Sequence, residues 1–340
     1  MRKAGINNLI TDVPGLAVGN ADDPQLRSGV TVVLPASPAI AAVDVRGGGP
    51  GTRETDALGL GGTVDEVHGL VLSGGSAFGL GAATGVQNVL RAKGIGFEVG
   101  TARVPIVPGA ILFDLMNGGD KEWPDSPPYE QFAERACHAA NTSFELGTAG
   151  AGYGATTARY AGGLGSASLD LGDGLFVGAL AAVNPLGCVT LGDGPHVWAA
   201  PLEINGEFGG HGWPENISGL PDEPPLKGGR NSTAPGENTT LCVVATNACL
   251  TKRQCWRLAV MAQTGLARAI FPVHTPLDGD VVFALSTCGT SAPETTADLA
   301  RLGAHAATTL ARAITRGVCE AGRNGDDWPG ETAWSARFGA

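Results

Sequence analysis

A threonine at the start of a buried strand is the residue best suited to chemistry in this chain of 340 residues. The polar, Pro- and Gly-rich run 216–237 ends abruptly, and an apolar, β-branched run begins at Thr239. A threonine hydroxyl is a weak nucleophile, and neither His nor Lys stands beside it to take its proton. A cut between Asn238 and Thr239 would supply the base, because the new α-amine of Thr239 has a reference pKa of roughly 7.7–8.

The same hydroxyl could make that cut. Attack of Thr239 on the carbonyl carbon of Asn238 would move the acyl group from nitrogen to oxygen, and water would then release it. Self-cleavage and later catalysis would therefore use one oxygen atom. The alternative interpretation is a simple loop-to-strand junction, since Asn-Thr-Thr is ordinary at a strand start.

Alternating strands and helices must position this threonine. The apolar segments predict one layered α/β unit over residues 1–340, with no internal repeat and no linker that separates domains. The segments nearest the threonine are strands 165–171 and 175–184 joined by a Gly-Asp-Gly hairpin turn, strand 239–248, a capping-box helix from Thr251 to about residue 270, strand 280–286, and a helix from about residue 293 to 322.

Three features of the N-terminal half bear on the site. Ser76 is predicted to be the N-cap of a helix to about Lys93, which leaves amides at the helix start to hold a carbonyl or carboxylate. Strands 29–34 and 39–45 are predicted to form a hairpin closed by Pro-Ala-Ser-Pro. The glycine cluster after Arg46 lacks the GxxxxGK(S/T) pattern of a phosphate loop, so it predicts a backbone held close to another element.

The composition excludes several classes of partner. With 33 acidic and 22 basic residues the net charge is -11, so nucleic acid and anionic membrane surfaces are poor partners. No apolar run approaches the roughly 20 residues of a membrane span, and the first residues lack the apolar region of a signal peptide. The seven cysteines form no CxxC pair, which favours free thiols in a reducing compartment. We therefore expect a cytoplasmic protein.

Five motifs taken together resemble the DmpA-type peptidase family. They are the Gly-Glu-Asn-Thr-Thr-Leu junction at 236–241, Asp-Gly-Asp-Val-Val-Phe-Ala at 278–284, Val-Asn-Pro at 183–185, Gly-Gly-Ser-Ala-Phe-Gly-Leu at 74–80 and Gly-Ala-Gly-Tyr-Gly-Ala-Thr at 150–156. The family includes L-aminopeptidase/D-esterases, β-aminopeptidases and nylon-oligomer (6-aminohexanoate-oligomer) hydrolases. The resemblance extends over residues 8–318, and the Asn-Thr-Thr junction is similar to that of the nylon-oligomer branch.

The resemblance implies an α/β fold of the αββα sandwich type, layered like the N-terminal-nucleophile hydrolases and connected like the ornithine acetyltransferases. It implies a precursor that cuts itself into a large chain, 1–238, and a small chain, 239–340, which stay together. Such pairs would assemble into tetramers or larger homo-oligomers.

The resemblance also implies roles for individual residues. Thr239 matches the nucleophile, and Asp278 and Asp280 match a pair of acidic residues. Two aspartates two apart on an extended chain point the same way, so both can reach the hydroxyl and the amine of the nucleophile. Asn184 matches the asparagine that helps bind the oxyanion, and a neutral amide donor suits that task. Taken alone, Asp-x-Asp is as typical of a solvated turn or a cation site, and Asn-Pro is typical of a turn.

Two positions depart from the family pattern. Arg159 stands where the family usually carries a lysine, and it can replace that lysine as a fixed charge or donor but not as a group that moves a proton. Phe113 stands where several relatives have a tyrosine, which removes a hydroxyl from the substrate pocket. Gly75 and Ser76 are expected to line the same pocket. Slow or absent self-cleavage is the expected consequence if the lysine moves a proton.

The predicted function is a hydrolase of amide bonds that needs no metal or other cofactor. It acts on small peptides, amides or amide oligomers through an acyl-enzyme on Thr239. Removal of N-terminal residues and cleavage of linear amide oligomers both remain open, and the Asn-Thr junction favours the second. Two other classes also remain open: acyl transfer to an amine, as in ornithine acetyltransferases, and an uncut, non-catalytic scaffold.

Overall fold

Thirteen strands and five helices make up the part of the chain that the computed structural model describes, residues 3–123, 125–216, 223–228, 238–322 and 332–339. The strands are β1 (Leu16–Asp23), β2 (Ser28–Pro35), β3 (Ala39–Val45), β4 (Gly51–Arg53), β5 (Glu66–Val67), β6 (Leu70–Ser73), β7 (Phe97–Val99), β8 (Ala102–Val104), β9 (Gly109–Ile111), β10 (Gly163–Asp170), β11 (Phe176–Asn184), β12 (Thr239–Ala248) and β13 (Val281–Thr290). The helices are α1 (Ala82–Ala92), α2 (Tyr129–Ala139), α3 (Lys252–Leu266), α4 (Thr296–Cys319) and α5 (Trp334–Phe338). Within these ranges no helix combines the length and the apolar character that a membrane span requires.

Most of these strands belong to two sheets. The six-stranded sheet has the order β10-β11-β12-β13-β3-β5, and the five-stranded sheet has the order β1-β2-β6-β9-β4. In the six-stranded sheet, β12 runs antiparallel to β11 and parallel to β13. The amino end of β12 therefore lies beside the carboxyl end of β11 and the amino end of β13.

Alternating side chains of the strands pack into three cores. One face of the six-stranded sheet packs against α3 and α4, where Val244 and Leu310 belong to one cluster. Its other face packs against the five-stranded sheet, where Val243 and Leu72 share a cluster. The outer face of the five-stranded sheet packs against α1 and α2. The layers are helix, sheet, sheet and helix, so the expected αββα sandwich is confirmed.

The central strand β12 follows from its own sequence. Every residue of this strand is buried, and its run of Leu, Val and Thr side chains suits a strand that is covered on both faces. The predicted strand 239–248 is confirmed at both ends. The capping box after it is also confirmed, because the Thr251 hydroxyl accepts from the Gln254 N–H and the Gln254 side chain accepts from the Thr251 N–H.

The predicted hairpin of strands 29–34 and 39–45 is wrong. Both segments are strands, but β2 pairs with β1 and β6 in the five-stranded sheet, whereas β3 pairs with β13 and β5 in the other sheet. The Pro-Ala-Ser-Pro connection lacks a tight-turn dipeptide such as Asn-Gly. Both strands are also largely buried, so their backbone groups need partners on both edges, which a hairpin alone does not supply.

Candidate active site

Residues that are far apart in sequence meet at one end of the six-stranded sheet. Thr239, the first residue of β12, is the register partner of Asn184, the last residue of β11. On the other side of β12, Asn238 forms a parallel bridge with Asp278, which precedes β13. The strand directions bring these residues together, because β11 ends where β12 and β13 begin.

The peptide bond between Asn238 and Thr239 is held by two donors. The carbonyl oxygen of Asn238 accepts a hydrogen bond from the backbone N–H of Gly279 at 2.8 Å and from the Thr239 hydroxyl at 2.5 Å. Only 1% of the Asn238 surface and 2% of the Thr239 surface are exposed. The Gly279 N–H polarises the carbonyl, and the hydroxyl lies against the group that self-cleavage requires it to attack.

Several polar atoms at the same junction are buried without partners. Among the described residues, the side-chain oxygen and nitrogen of Asn238 have no hydrogen-bond partner, and the hydroxyl of Thr240 has none either. A buried polar group that is left unpaired costs about 1–3 kcal/mol. Cleavage of the Asn238–Thr239 bond would let these groups of Asn238 find other partners.

Asp278 and Asp280 are buried carboxylates and do not form a solvated turn. Asp278 accepts from the N–H of Leu186 at 3.0 Å and from the hydroxyl of Thr275 at 2.6 Å. Asp280 accepts from the N–H of Thr240 at 2.8 Å. Burial, with the charge of Asp280 as the second cause, raises the pKa of the Asp278 carboxyl.

In the structure, the two carboxylates bind the backbone around the junction, through the N–H groups of Leu186 and Thr240. In the described part of the chain neither one accepts a hydrogen bond from Thr239, whose hydroxyl donates to the preceding carbonyl. Both aspartates precede β13, so their oxygens bind nearby backbone and hold the ends of β11, β12 and β13 together. The described residues also contain no group of three or more His, Cys, Asp or Glu placed to hold a metal ion.

Asp280 has a second partner, His274, which sequence reasoning missed. Nδ1 of His274 lies 2.9 Å from Oδ2 of Asp280, and the backbone N–H of His274 donates to the same oxygen at 3.0 Å. His274 has a φ of +56°, which is uncommon for a residue with a side chain. The only signal in the sequence is that this histidine shortly precedes the Asp pair.

The glycine cluster after β3 packs against the Asp pair. The N–H of Gly47 donates to the carbonyl of Asp280 at 3.2 Å, and the N–H of Gly49 donates to the carbonyl of Asp278 at 2.8 Å. A Cβ atom on Gly47 would lie 2.3 Å from the backbone nitrogen of Asp280, so a larger residue requires the backbone to shift. The predicted close approach of this cluster is confirmed, and its partner is the segment that carries both aspartates.

The side chain of Asn184 is held at both of its polar ends. Its Nδ2 donates to the carbonyl of Phe113 at 3.1 Å, so Phe113 contacts the site through its backbone. Its Oδ1 accepts from the N–H of Thr156 at 3.0 Å and from Nζ of Lys227 at 3.0 Å. Lys227 comes from the polar run 216–237 before the junction (the linker), and a single lysine in such a run gives no sequence signal.

Arg159 has its contacts elsewhere. Its guanidinium forms an ion pair with the exposed carboxylate of Asp193 and also contacts the thiol of Cys188. Among the described residues, no hydrogen bond or ion pair joins the Arg159 side chain to Thr239 or Asn184. The structure therefore does not bring Arg159 into the group of predicted site residues.

The predicted N-cap at Ser76 is wrong. The cap residue is Gly75, whose φ of +83° suits glycine, and a 3-10 turn over Ser76–Gly81 then leads into α1. The N–H of Gly75 donates to the carboxylate of Asp114 at 2.7 Å. The N–H of Ser76 donates to the carbonyl of Leu112 at 2.9 Å. These two amides are therefore used inside the protein, and the placement of Gly75 and Ser76 in a substrate pocket stays a prediction.

Comparison with known proteins identifies the family. Residues 8–326 match the model of peptidase family S58. The chain belongs to peptidase family S58. As an S58 peptidase it is an amide-bond hydrolase, and the reaction class that the motifs predict is confirmed.

Two relatives of this S58 chain carry hydrolase names. A Mycobacterium tuberculosis protein described as an uncharacterized aminopeptidase is 43% identical over 333 residues, which cover 92% of this chain and 94% of that protein. The 6-aminohexanoate-oligomer endohydrolase of a Kocuria species is 29% identical over 301 residues, which cover 87% of this chain and 79% of that protein. The acyltransferase and the silent scaffold are not favoured by these comparisons.

Solved structures share the fold of this S58 chain. A beta-aminopeptidase from a Burkholderia species has a TM-score of 0.70 at 20% identity, over 100% of this chain and 96% of that one. The L-aminopeptidase D-Ala-esterase/amidase of Ochrobactrum anthropi is described as a variant of the Ntn hydrolase fold. It has a TM-score of 0.69 at 21% identity, and the match covers 96% of this chain and 90% of that one. The predicted fold, similar to that of the N-terminal-nucleophile hydrolases, is confirmed.

Proposed function

We propose that this S58 chain cuts itself between Asn238 and Thr239 and then hydrolyses amide bonds through an acyl-enzyme on Thr239. One observation carries the proposal. The Thr239 hydroxyl lies 2.5 Å from the carbonyl oxygen of Asn238 while the Gly279 N–H binds the same oxygen. Membership of family S58 supports the proposal, because self-cleavage and substrate hydrolysis break the same kind of bond.

Self-cleavage proceeds as an N-to-O acyl shift. Oγ1 of Thr239 attacks the carbonyl carbon of Asn238, the carbon–nitrogen bond breaks, and the nitrogen keeps the electron pair and receives the hydroxyl proton. The Gly279 N–H stabilises the negative oxygen of the tetrahedral intermediate. Water then hydrolyses the ester to a carboxylate on Asn238 and a free hydroxyl on Thr239. The cut also allows the unpaired side chain of Asn238 to leave its buried position.

Substrate hydrolysis uses the amine that the cut creates. The α-amine of Thr239 takes the hydroxyl proton as Oγ1 attacks the substrate carbonyl, and it gives this proton to the leaving amine. Water activated by the same amine then releases the acyl group as an acid. The neighbouring carboxylates of Asp278 and Asp280 balance the ammonium that forms. We assign the side-chain amide of Asn184, the register partner of Thr239, as a second oxyanion donor.

Small peptides, amides and amide oligomers are the proposed substrates. The relative at 43% identity is described as an aminopeptidase, and the relative at 29% identity is described as an endohydrolase of 6-aminohexanoate oligomers. The higher identity favours removal of N-terminal residues, and the Asn-Thr junction favours amide oligomers. We therefore propose both activities, removal of N-terminal residues and cleavage of amide oligomers.

The two cut chains are expected to stay together. Strands β12 and β13 belong to residues 239–340, whereas their neighbours β11 and β3 belong to residues 1–238. Both pieces contribute to the two cores on either side of the six-stranded sheet. Separation would expose that apolar surface to water. We further propose that such pairs assemble into homo-oligomers in the cytoplasm.

Intact-mass spectrometry of the purified protein tests the proposal. The wild type is expected to give two species that join at 238/239. Thr239→Ala is expected to stay whole and to show no measurable amide hydrolysis, because both steps use its hydroxyl. Thr240→Ala is the matched control, since it removes a neighbouring hydroxyl that has no hydrogen-bond partner within the described ranges, and it should be cut like the wild type. A Thr239→Ala chain that is cut at the same bond would refute the proposal, as would an uncut wild type that hydrolyses amides.

A further inference from the structure

A lysine in the linker before the proposed cut reaches the side chain of Asn184. Nζ of Lys227 lies 3.0 Å from Oδ1 and 3.5 Å from the backbone oxygen of Asn184. The backbone N–H of Lys227 donates to the carbonyl of Leu186 at 2.8 Å, so the linker is anchored beside the end of β11. Lys227 is half-buried, and partial shielding from water strengthens a contact between an ammonium and a carbonyl oxygen.

An ammonium that binds the oxygen of a side-chain amide strengthens the N–H groups of that amide as hydrogen-bond donors. It draws electron density toward Oδ1, which leaves more positive charge on the N–H groups and makes them stronger donors. It also fixes the orientation of the side chain. The Thr156 N–H and the Lys227 ammonium both require an acceptor on one side of Asn184, so the oxygen lies there and the nitrogen, which donates to the carbonyl of Phe113, faces the other way.

We propose that Lys227 is a positioning residue for this reaction, acting through Asn184. It orients and polarises the Asn184 amide, so that the amide stabilises the oxyanion formed when Thr239 attacks a carbonyl. The inference rests on the proposed function of Thr239 as the nucleophile. The role assigned to Lys227 is indirect, through Asn184, and after the cut Lys227 belongs to the large chain.

Lys227 also supplies a cation to the site, although Arg159, which stands where the family usually carries a lysine, has its contacts elsewhere. The guanidinium of Arg159 is paired with Asp193, whereas the ammonium of Lys227 contacts Asn184 directly. A fixed charge at the oxyanion side is therefore supplied by the linker. Because the charge is fixed and does not move a proton, an arginine at the same position should serve as well.

Substitutions of Lys227 test the inference. Lys227→Met removes the charge and keeps the length of the side chain, and Lys227→Arg keeps the charge. Lys3→Met is the matched control, because it removes a lysine ammonium from the Asp170 carboxylate at the surface, where an ion pair contributes little. Self-cleavage is followed by intact mass from the time of synthesis. The kcat and KM of the cut protein are measured with a small peptide amide.

We expect Lys227→Met to slow self-cleavage and to lower kcat by about 10-fold or more, with little change in KM. Loss of an oxyanion donor itself typically costs about 10²–10³ in rate, and Lys227 acts on that donor only indirectly. Lys227→Arg should recover most of the rate, and Lys3→Met should behave like the wild type. Wild-type rates for Lys227→Met would overturn the inference.

Removal of Asn184 separates a role through the amide from a purely structural role. In an Asn184→Ala background, Lys227→Met is expected to cause no further loss of the self-cleavage rate or of kcat. The same loss with and without Asn184 would also overturn the inference. These outcomes are distinct from failure of the proposed function, in which the wild type stays whole or Thr239→Ala is cut.

Discussion

The hydroxyl of Thr239 and the carbonyl of Asn238 meet because a strand begins at Thr239, the proposed nucleophile. Pairing with β11 on one side and with the segment before β13 on the other fixes the backbone around the bond. The same pairing holds Asp278 and Asp280 close together in a buried place. Burial and repulsion by Asp280 then raise the pKa of the Asp278 carboxyl, so the contribution of Asp278 to stability depends on pH.

We predict that the stability contribution of Asp278 falls as the pH rises. Its pKa is raised above the usual 3.8, so folding favours the protonated carboxyl. The corresponding stability is present below about pH 4 and is lost as the pH rises through the raised pKa of the folded state. In a Thr239→Ala background, which is expected to keep both proteins uncut, the parent should therefore lose stability relative to Asp278→Asn as the pH rises from about 4 through the raised pKa of the folded state. Thermal unfolding at a series of pH values measures this difference.

Asp298 provides a control of opposite sign. Hydrogen bonds from Thr295 lower the pKa of Asp298, so its stability contribution is present above the usual pKa and is lost as the pH falls. The parent should therefore gain stability relative to Asp298→Asn as the pH rises from the acid side, whereas it loses stability relative to Asp278→Asn. A difference for Asp278→Asn that is flat or has the opposite sign would disprove the prediction.

At the scale of strands and helices, local signals predicted the elements that carry the site. A Gly-Asp-Gly turn joins β10 and β11, a β-branched run forms β12, and a capping box starts α3. The sequence did not show which strands pair when they lie far apart along the chain. The hairpin predicted for β2 and β3 fails because each strand finds partners in a different sheet. The N-cap predicted at Ser76 fails because Ser76 is already the first residue of a 3-10 turn, and Gly75, with a φ of +83°, takes the cap position before it.

We predict that Gly47→Ala slows self-cleavage although Gly47 lies far from Thr239 in sequence. The new Cβ would lie 2.3 Å from the backbone nitrogen of Asp280, so the segment that holds the Asn238 carbonyl must shift. Such overpacking typically costs about 1–3 kcal/mol of stability. Misplacement by about 1 Å can cost roughly 10²-fold in rate, so we expect self-cleavage to slow by about 10-fold or more. Intact mass against time and thermal unfolding measure the two effects.

Gly61→Ala is the matched control for this substitution. A Cβ on Gly61 meets nothing within 4 Å, so self-cleavage and stability should stay close to those of the wild type. If Gly47→Ala and Gly61→Ala behaved alike, the packing of the glycine cluster on the Asp pair would have no part in the reaction.

At the scale of the whole molecule, sequence motifs predicted the candidate site residues that lie at strand ends. The candidate residues that lie in loops are seen only in the folded structure. Thr239, Asn184 and the Asp pair belong to recognisable motifs and converge because β11 ends where β12 and β13 begin. His274 and Lys227 lie in loops without a motif, and only the folded chain brings them to Asp280 and Asn184. Such contacts could not be predicted, because they depend on the paths of loops between layers.

The most direct test of Thr239 as the nucleophile is intact-mass spectrometry of the enzyme quenched with acid while it turns over a small peptide amide. We predict that the small chain, which begins at Thr239, gains the mass of the acyl group and that the large chain gains nothing. An acyl group on the large chain, or steady turnover by a chain that remains whole, would contradict the proposed mechanism.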